Sequence, residues 1–234
     1  MTKLVMALRC IDGIVLGADM PAADAPENEG AIRPLSRWVA ILVHDERPFG
    51  NRLIDEFLAA SPKLDVPVKA IAQQAHASFD TTCRQLADQQ QPVPFPLGMI
   101  IAGIDGSGTG DIEFWGLHAG HGFEPRLFGG NLFGGECNTI ARFMDSKIHT
   151  FSIGVDRALR RGAFYFVETR SVPALKLEPT LHLATITYSD GFGRVDQERF
   201  SEYFSEDSGW SERLFTACAS VFSPVYDGEI EGHR

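Results

Sequence analysis

The sequence predicts an α+β fold of two antiparallel sheets packed face to face with helix pairs outside, a four-layer αββα sandwich. Three observations predict it. The chain opens on an apolar hairpin that ends Gly17-Ala18-Asp19. A second apolar hairpin, centred on Ala102-Gly103-Ile104-Asp105-Gly106, follows two helical stretches. A glycine-rich segment, Gly129 to Gly135, then leads into two more helical stretches. Each sheet and each helix has an apolar face to bury, and this layering buries them all.

The first hairpin organises the rest. Leu4, Met6 and Leu8 alternate with Val5, Ala7 and Arg9, and Ile11-Asp12-Gly13 marks a tight turn. Asp-Gly between two apolar runs is a strong hairpin signal. Ile14, Val15 and Leu16 give a second strand that is almost wholly apolar, as expected at the centre of a sheet buried on both faces. That strand ends on the carboxylate of Asp19, beside the strand that starts the chain.

Composition bounds the function. The 234 residues suit one large domain, 1–234, with 196–234 as a C-terminal tail covering a sheet edge or a subunit interface. Hydrophobic residues at 44% are enough for a sizeable core, and a net charge of −10 argues against nucleic acid and anionic membranes. Cys10, Cys83, Cys137 and Cys218 show no paired spacing and read as reduced and buried. No signal peptide is visible, and the longest apolar run, Met99 to Ile104, is too short to span a bilayer. The expectation is a soluble, cytoplasmic protein.

The remaining elements follow in order. Residues 20–31 read as a polar loop, and Ser36 to Val43 as a buried strand. Asn51 to Ala60 and Val68 to Leu86 carry apolar stripes at helical spacing. After a polar connector, Pro96 to Ile104 and Ile112 to Leu117 pair around the glycine turn at 105–110. A strand follows that turn instead of a helix, which excludes a phosphate loop. His118 and His121 form a bare pair in a loop, with no carboxylate or third histidine nearby, so no metal is expected. Phe123 to Phe128 reads as a short strand, Glu136 to Lys147 and Ser152 to Thr169 as helices, and Leu181 to Tyr188 as a half-buried strand.

The Gly-Ala-Asp hairpin, the Ala-Gly-Ile-Asp-Gly hairpin and the glycine–helix segment, in that order, resemble proteasome-type N-terminal-nucleophile (Ntn) hydrolases over roughly residues 2 to 190. In that family a threonine hydroxyl at the chain start is the nucleophile. Its own α-amine, with an ordinary pKa of about 8, takes the proton. The resemblance implies Thr2 as nucleophile once Met1 is removed, and Asp19 and Arg33 as the charges that tune it. It implies Glu168 and Ser171 as supports of the amine, and backbone N–H groups near Gly135 and Glu136 as an oxyanion hole. It also implies a homo-oligomeric stacked ring, a peptide or unfolded-protein substrate and a regulatory ATPase partner, with no cofactor, nucleic acid or membrane.

Four positions depart from the family pattern. Counting back from Gly13 places the nucleophile at Lys3, one residue after Thr2. Arg33 stands where the family has a lysine, and a planar guanidinium does not replace an ammonium in a tight site. The glycine segment lacks its serine, and Glu168 replaces a shorter acid. Three readings therefore stand: a threonine-type peptidase, a catalytically silent scaffold or binding subunit of the same fold, and a small-molecule Ntn amidohydrolase.

Overall fold

A computed structural model describes residues 2–20, 30–148, 153–178 and 180–196. The chain divides after Val195, so these residues belong to one compact unit apart from Asp196. The tail beyond Asp196, and Cys218 with it, lies outside the described residues.

The chain runs β1 (Val5–Arg9), β2 (Gly13–Met20), β3 (Ile32–Pro34), β4 (Val39–Asp45), α1 (Arg47–Ala59), α2 (Val68–Asp88) and β5 (Leu97–Ile104). A single turn, α3 (Asp105–Gly108), leads to β6 (Ile112–His118). Then come β7 (Arg126–Phe128), β8 (Leu132–Gly134), α4 (Asn138–Ile148), α5 (Val155–Arg170), β9 (Thr180–Thr187) and β10 (Gly191–Arg194). The fold is α+β with two antiparallel sheets. One has the order β10-β9-β2-β1-β8 and the other β3-β4-β5-β6-β7.

The two sheets share one core. Because side chains alternate across a strand, Ala7, Leu16 and Ala184 of the first sheet meet Ala40, Leu42 and Ala102 of the second, all buried. The opposite face of the second sheet, through Val39, Ile41 and Ile101, packs on Leu53 and Phe57 of α1 and on Ile71 and Phe79 of α2. The opposite face of the first sheet carries α5, which lies against β1, β2 and β9. Gly162 permits that approach, since a Cβ there would stand 3.2 Å from Met6 Sδ.

The opening hairpin forms as its alternation predicts, with Val5 opposite Ala18 and Arg9 opposite Ile14. Every residue of β2 is buried. Gly13 is needed less for the turn than for its neighbour: a Cβ there would lie 2.3 Å from the Ile186 carbonyl oxygen of β9.

Elsewhere the boundaries differ for local reasons. Residues 32–34, left unassigned between the loop and the next strand, form an edge strand; Pro34 suits an edge because it has no N–H to offer a further strand. The following strand begins at Val39, because Leu35 and Ser36 donate their N–H groups to the Val39 carbonyl and turn the chain there. Helix α1 starts at Arg47, ahead of Asn51, since Pro48 fits a first helical turn whose N–H groups have no partner anyway. Residues 132–134 and 191–194 pair as short strands where only turns were expected. Cys10 and Cys137 are buried and Cys83 is half-buried, all as free thiols. Among the described residues no helix is long and apolar enough to cross a membrane.

Candidate functional site

The residues leading into β1 are held inside the molecule, with Thr2 and Leu4 both fully buried. Asp19 lies at the end of β2 with no exposed surface. Its Oδ1 accepts the backbone N–H groups of Lys3 (2.8 Å) and Leu4 (2.7 Å), and its Oδ2 accepts that of Glu178 (3.1 Å). Burial pushes the Asp19 carboxyl above the ordinary carboxylate range, and the three main-chain donors oppose that rise. The nitrogen over Asp19 is therefore that of Lys3, as the register counted from Gly13 requires.

Thr2 stands one residue further out. It is completely buried, and its Oγ1 has no hydrogen-bond partner among the described residues. Its carbonyl oxygen accepts the Asp45 N–H at 2.6 Å, a main-chain link from the leader of one sheet to the end of β4 in the other. Asp45 sits in left-handed backbone conformation at φ 65, a strained state for a residue with a side chain.

The glycine segment closes over this leader. Gly135 has φ 92, and a Cβ there would fall 2.2 Å from the Lys3 carbonyl oxygen. That oxygen accepts the Cys137 N–H (2.9 Å), while the Asn138 N–H goes to Gly135 (3.2 Å). The helix begins at Asn138, later than Glu136, and the Cys137 and Asn138 N–H groups that follow the glycines are engaged by the chain itself. The Lys3 ammonium donates to the Leu175 carbonyl (3.3 Å) and lies 3.8 Å from the Glu136 carboxylate.

Arg33 is not brought to this place. It lies on edge strand β3 opposite Ile41, so it shares Ile41's face, the one that α1 covers. There its guanidinium binds the Asp55 carboxylate of α1 at 2.7 Å. Asp19 faces away from the shared core in the other sheet, since its neighbours Ala18 and Met20 point into that core. Both sheets thus separate Arg33 from Asp19. Glu168 is half-buried near the end of α5. Ser171 is exposed, and its Oγ donates to the Glu168 carbonyl (2.6 Å), finishing the helix. The segment that reaches the chain start lies beyond them, through the Leu175 carbonyl and the Glu178 N–H.

A cavity of about 600 Å³ opens between the sheets, lined among others by His44, Asp45, His118, His121, Gly134 and Gly135. The pair His118–His121 is not isolated after all: the His44 ring centre is 6.4 Å from that of His118, which is 5.9 Å from that of His121. Asp45 supplies a carboxylate beside them, with Oδ2 2.6 Å from His44 Nδ1. The signal lay in the sequence as a polar His-Asp pair ending the apolar run 39–43, but the fold alone joins residues so distant in the chain. Among the described residues no group of three or more His, Cys, Asp or Glu side chains could hold a metal ion. Burial, helped by the neighbouring imidazoles of His44 and His121, pushes His118 below the ordinary histidine range, so its ring is neutral at pH 7.

No protein-family model matches this chain, and no curated protein matches it.

Proposed function

We propose that the chain is a proteasome-like Ntn-fold subunit, a four-layer αββα sandwich, whose opening residues serve as structure and not as a nucleophile. In this reading it is a self-assembling scaffold or binding subunit, with copies of itself as first partners. One observation carries it: the nitrogen bound to Asp19 belongs to Lys3, a peptide N–H, while Thr2 lies outside that contact. An internal peptide nitrogen has no basic lone pair, so it cannot take a hydroxyl proton as a free amine does. The location of Arg33 on the far side of both sheets, and the engagement of the Cys137 N–H by Lys3, support the same reading.

A second reading, a threonine-type peptidase, is favoured by one feature: the Thr2 hydroxyl is buried and unpartnered at the strand tip. The two separate in one set of measurements. Intact mass identifies the first residue, and fluorogenic peptides report hydrolysis by the parent and by Thr2→Ala. The scaffold reading expects no peptide cleavage, and a multimer by light scattering. Cleavage that disappears in Thr2→Ala, in protein whose mass shows Met1 removed, establishes the peptidase instead.

A further inference from the structure

We propose that the cavity between the sheets is a hydrolytic site independent of Thr2, in which His44 acts as general base on water and His118 holds the carbonyl oxygen of a small ester.

His44 is built as a base. It is 8% exposed, and its Nδ1 lies 2.6 Å from a carboxylate that is itself 5% exposed. That contact keeps the proton on Nδ1 and leaves the Nε2 lone pair for a reaction. Nε2 makes no hydrogen bond among the described residues, and the ring lines the cavity. Two glycines form the slot that orients the ring. A Cβ at Gly98 would stand 2.1 Å from His44 Cε1, and one at Gly134 would stand 2.4 Å from His44 Cδ2. Asp45 accepts left-handed backbone strain at the spot where its carboxylate meets the imidazole, and such strain concentrates at functional positions.

His118 faces His44 with the opposite role. The Gly120 N–H donates to His118 Nδ1 at 3.1 Å, so the neutral ring carries its proton on Nε2. The cavity therefore offers an acceptor and a donor on neighbouring rings whose centres lie 6.4 Å apart, with the open volume beside them for the reacting groups. Ile100, Leu132 and Phe128 supply apolar lining for an acyl chain. Arg126 stands at the same cavity and suits the carboxylate product.

The reaction balances with water as the co-reactant. His44 Nε2 takes a proton from water as the water oxygen bonds to the ester carbon. The carbonyl π pair moves to oxygen, where the His118 Nε2–H binds it. The tetrahedral species then collapses and breaks the bond to the leaving oxygen. That oxygen takes the proton from His44. Ester and water become acid and alcohol, and the imidazole returns to its starting state.

The test uses the full chain and p-nitrophenyl butyrate. We expect saturable hydrolysis above the background of free imidazole. His44→Gln lowers kcat/KM about 100-fold or more. His118→Phe, which keeps a ring and loses the donor, lowers kcat about 100-fold with KM little changed. Asp45 is a positioning residue. Asp45→Asn lowers kcat with KM little changed, and Asp45→Glu, which restores a carboxylate beside the imidazole, recovers part of the rate. Circular dichroism and thermal melting of each variant separate lost chemistry from lost fold. If His44→Gln fails to fold, covalent labelling of the parent by diethyl pyrocarbonate, mapped to His44 and tracking the loss of rate, supplies the same information. No hydrolysis above background overturns the proposal. So does a rate that survives in folded His44→Gln, or one that follows Thr2→Ala while His44→Gln keeps it. None of these outcomes bears on the assembly state, which tests the scaffold reading separately.

Discussion

The backbone N–H of Lys3 and the carboxylate of Asp19 meet at 2.8 Å, a contact that follows from the register of the opening strand. Leu4 adds a second N–H to the same oxygen, and Glu178 brings a third from the segment before β9. A carboxylate with no exposed surface thus ties together the segments that lead into β1 and β9, the two strands flanking β2.

Asp19→Asn tests that role. The amide oxygen replaces Oδ1, but its NH₂ group then faces the Glu178 N–H, donor against donor. We expect a loss of about 1–2 kcal/mol, read from urea unfolding at pH 7. The pH dependence has a definite sign. Burial raises the Asp19 pKa from 3.8, so its contribution is fully present below the ordinary carboxylate range and is lost as pH rises through the raised value. The variant lacks that slope, so its deficit against the parent is larger at pH 4 than at pH 7.

His182 works in the opposite sense. Burial, with the charges of Arg194 and Arg47, holds its pKa below 6.5, and its Nε2 is buried without a partner. Its contribution is present above the unfolded value and is lost as pH falls through the lowered one. His182→Leu should stabilise the protein relative to the parent by up to roughly 1 kcal/mol at pH 5. Paired denaturant titrations at pH 5 and pH 7.5 measure the difference.

Gly135→Ala forces a Cβ to 2.2 Å from the Lys3 carbonyl oxygen and sets a side chain at φ 92. We expect a loss of roughly 3 kcal/mol or more. Gly129→Ala is the control, since nothing lies within 4 Å of its added Cβ, and it should stay within roughly 0.5 kcal/mol. Thermal melting of both variants decides whether the glycine segment clamps the leader.

Burial pushes the Cys10 thiol up to about 12 and the Cys137 thiol up to about 11. Thiolates are the reactive form, so neither should alkylate at pH 8 in the native protein. Iodoacetamide labelling followed by peptide mass mapping should find both unmodified until denaturant is added.

Arg33→Ala removes the ion pair with Asp55, which is 61% exposed at its side chain. The expected cost is at most about 1 kcal/mol, because a pair with an exposed partner is weak. The chain start should not sense the change: the backbone amide signals of Lys3 and Leu4 stay where they are in the parent's spectrum.

Much of the fold was legible in the sequence because its signals are local. The Asp-Gly turn and the apolar run 14–16 specify the first hairpin by themselves. The stripe of Ile71, Ala75, Phe79 and Leu86 specifies α2. Short edge elements were not legible. Ile32 to Pro34 has three residues, one of them a proline, and becomes a strand only because β4 lies beside it. The site was legible by position and not by role. Asp19 was found, but its partner is set by a one-residue register that only the pairing of β1 with β2 and β8 defines. The His44–Asp45 pair and His118 lie on different strands, so their meeting depends on the β4–β5–β6 register.

The strand order also sets a timetable for the nascent chain. The second sheet uses β3 to β7 in sequence order, so it can close as soon as Phe128 has been made. The first sheet cannot, because fully buried β2 must pair with β9 near the end of the described chain. At about 5–20 residues per second, a ribosome leaves that greasy hairpin waiting on the order of ten seconds for its mate. That hairpin is made well before β9 and is among the last elements to settle, so a chaperone that shields it, or slower translation past residue 180, should govern how much of this protein a cell recovers intact.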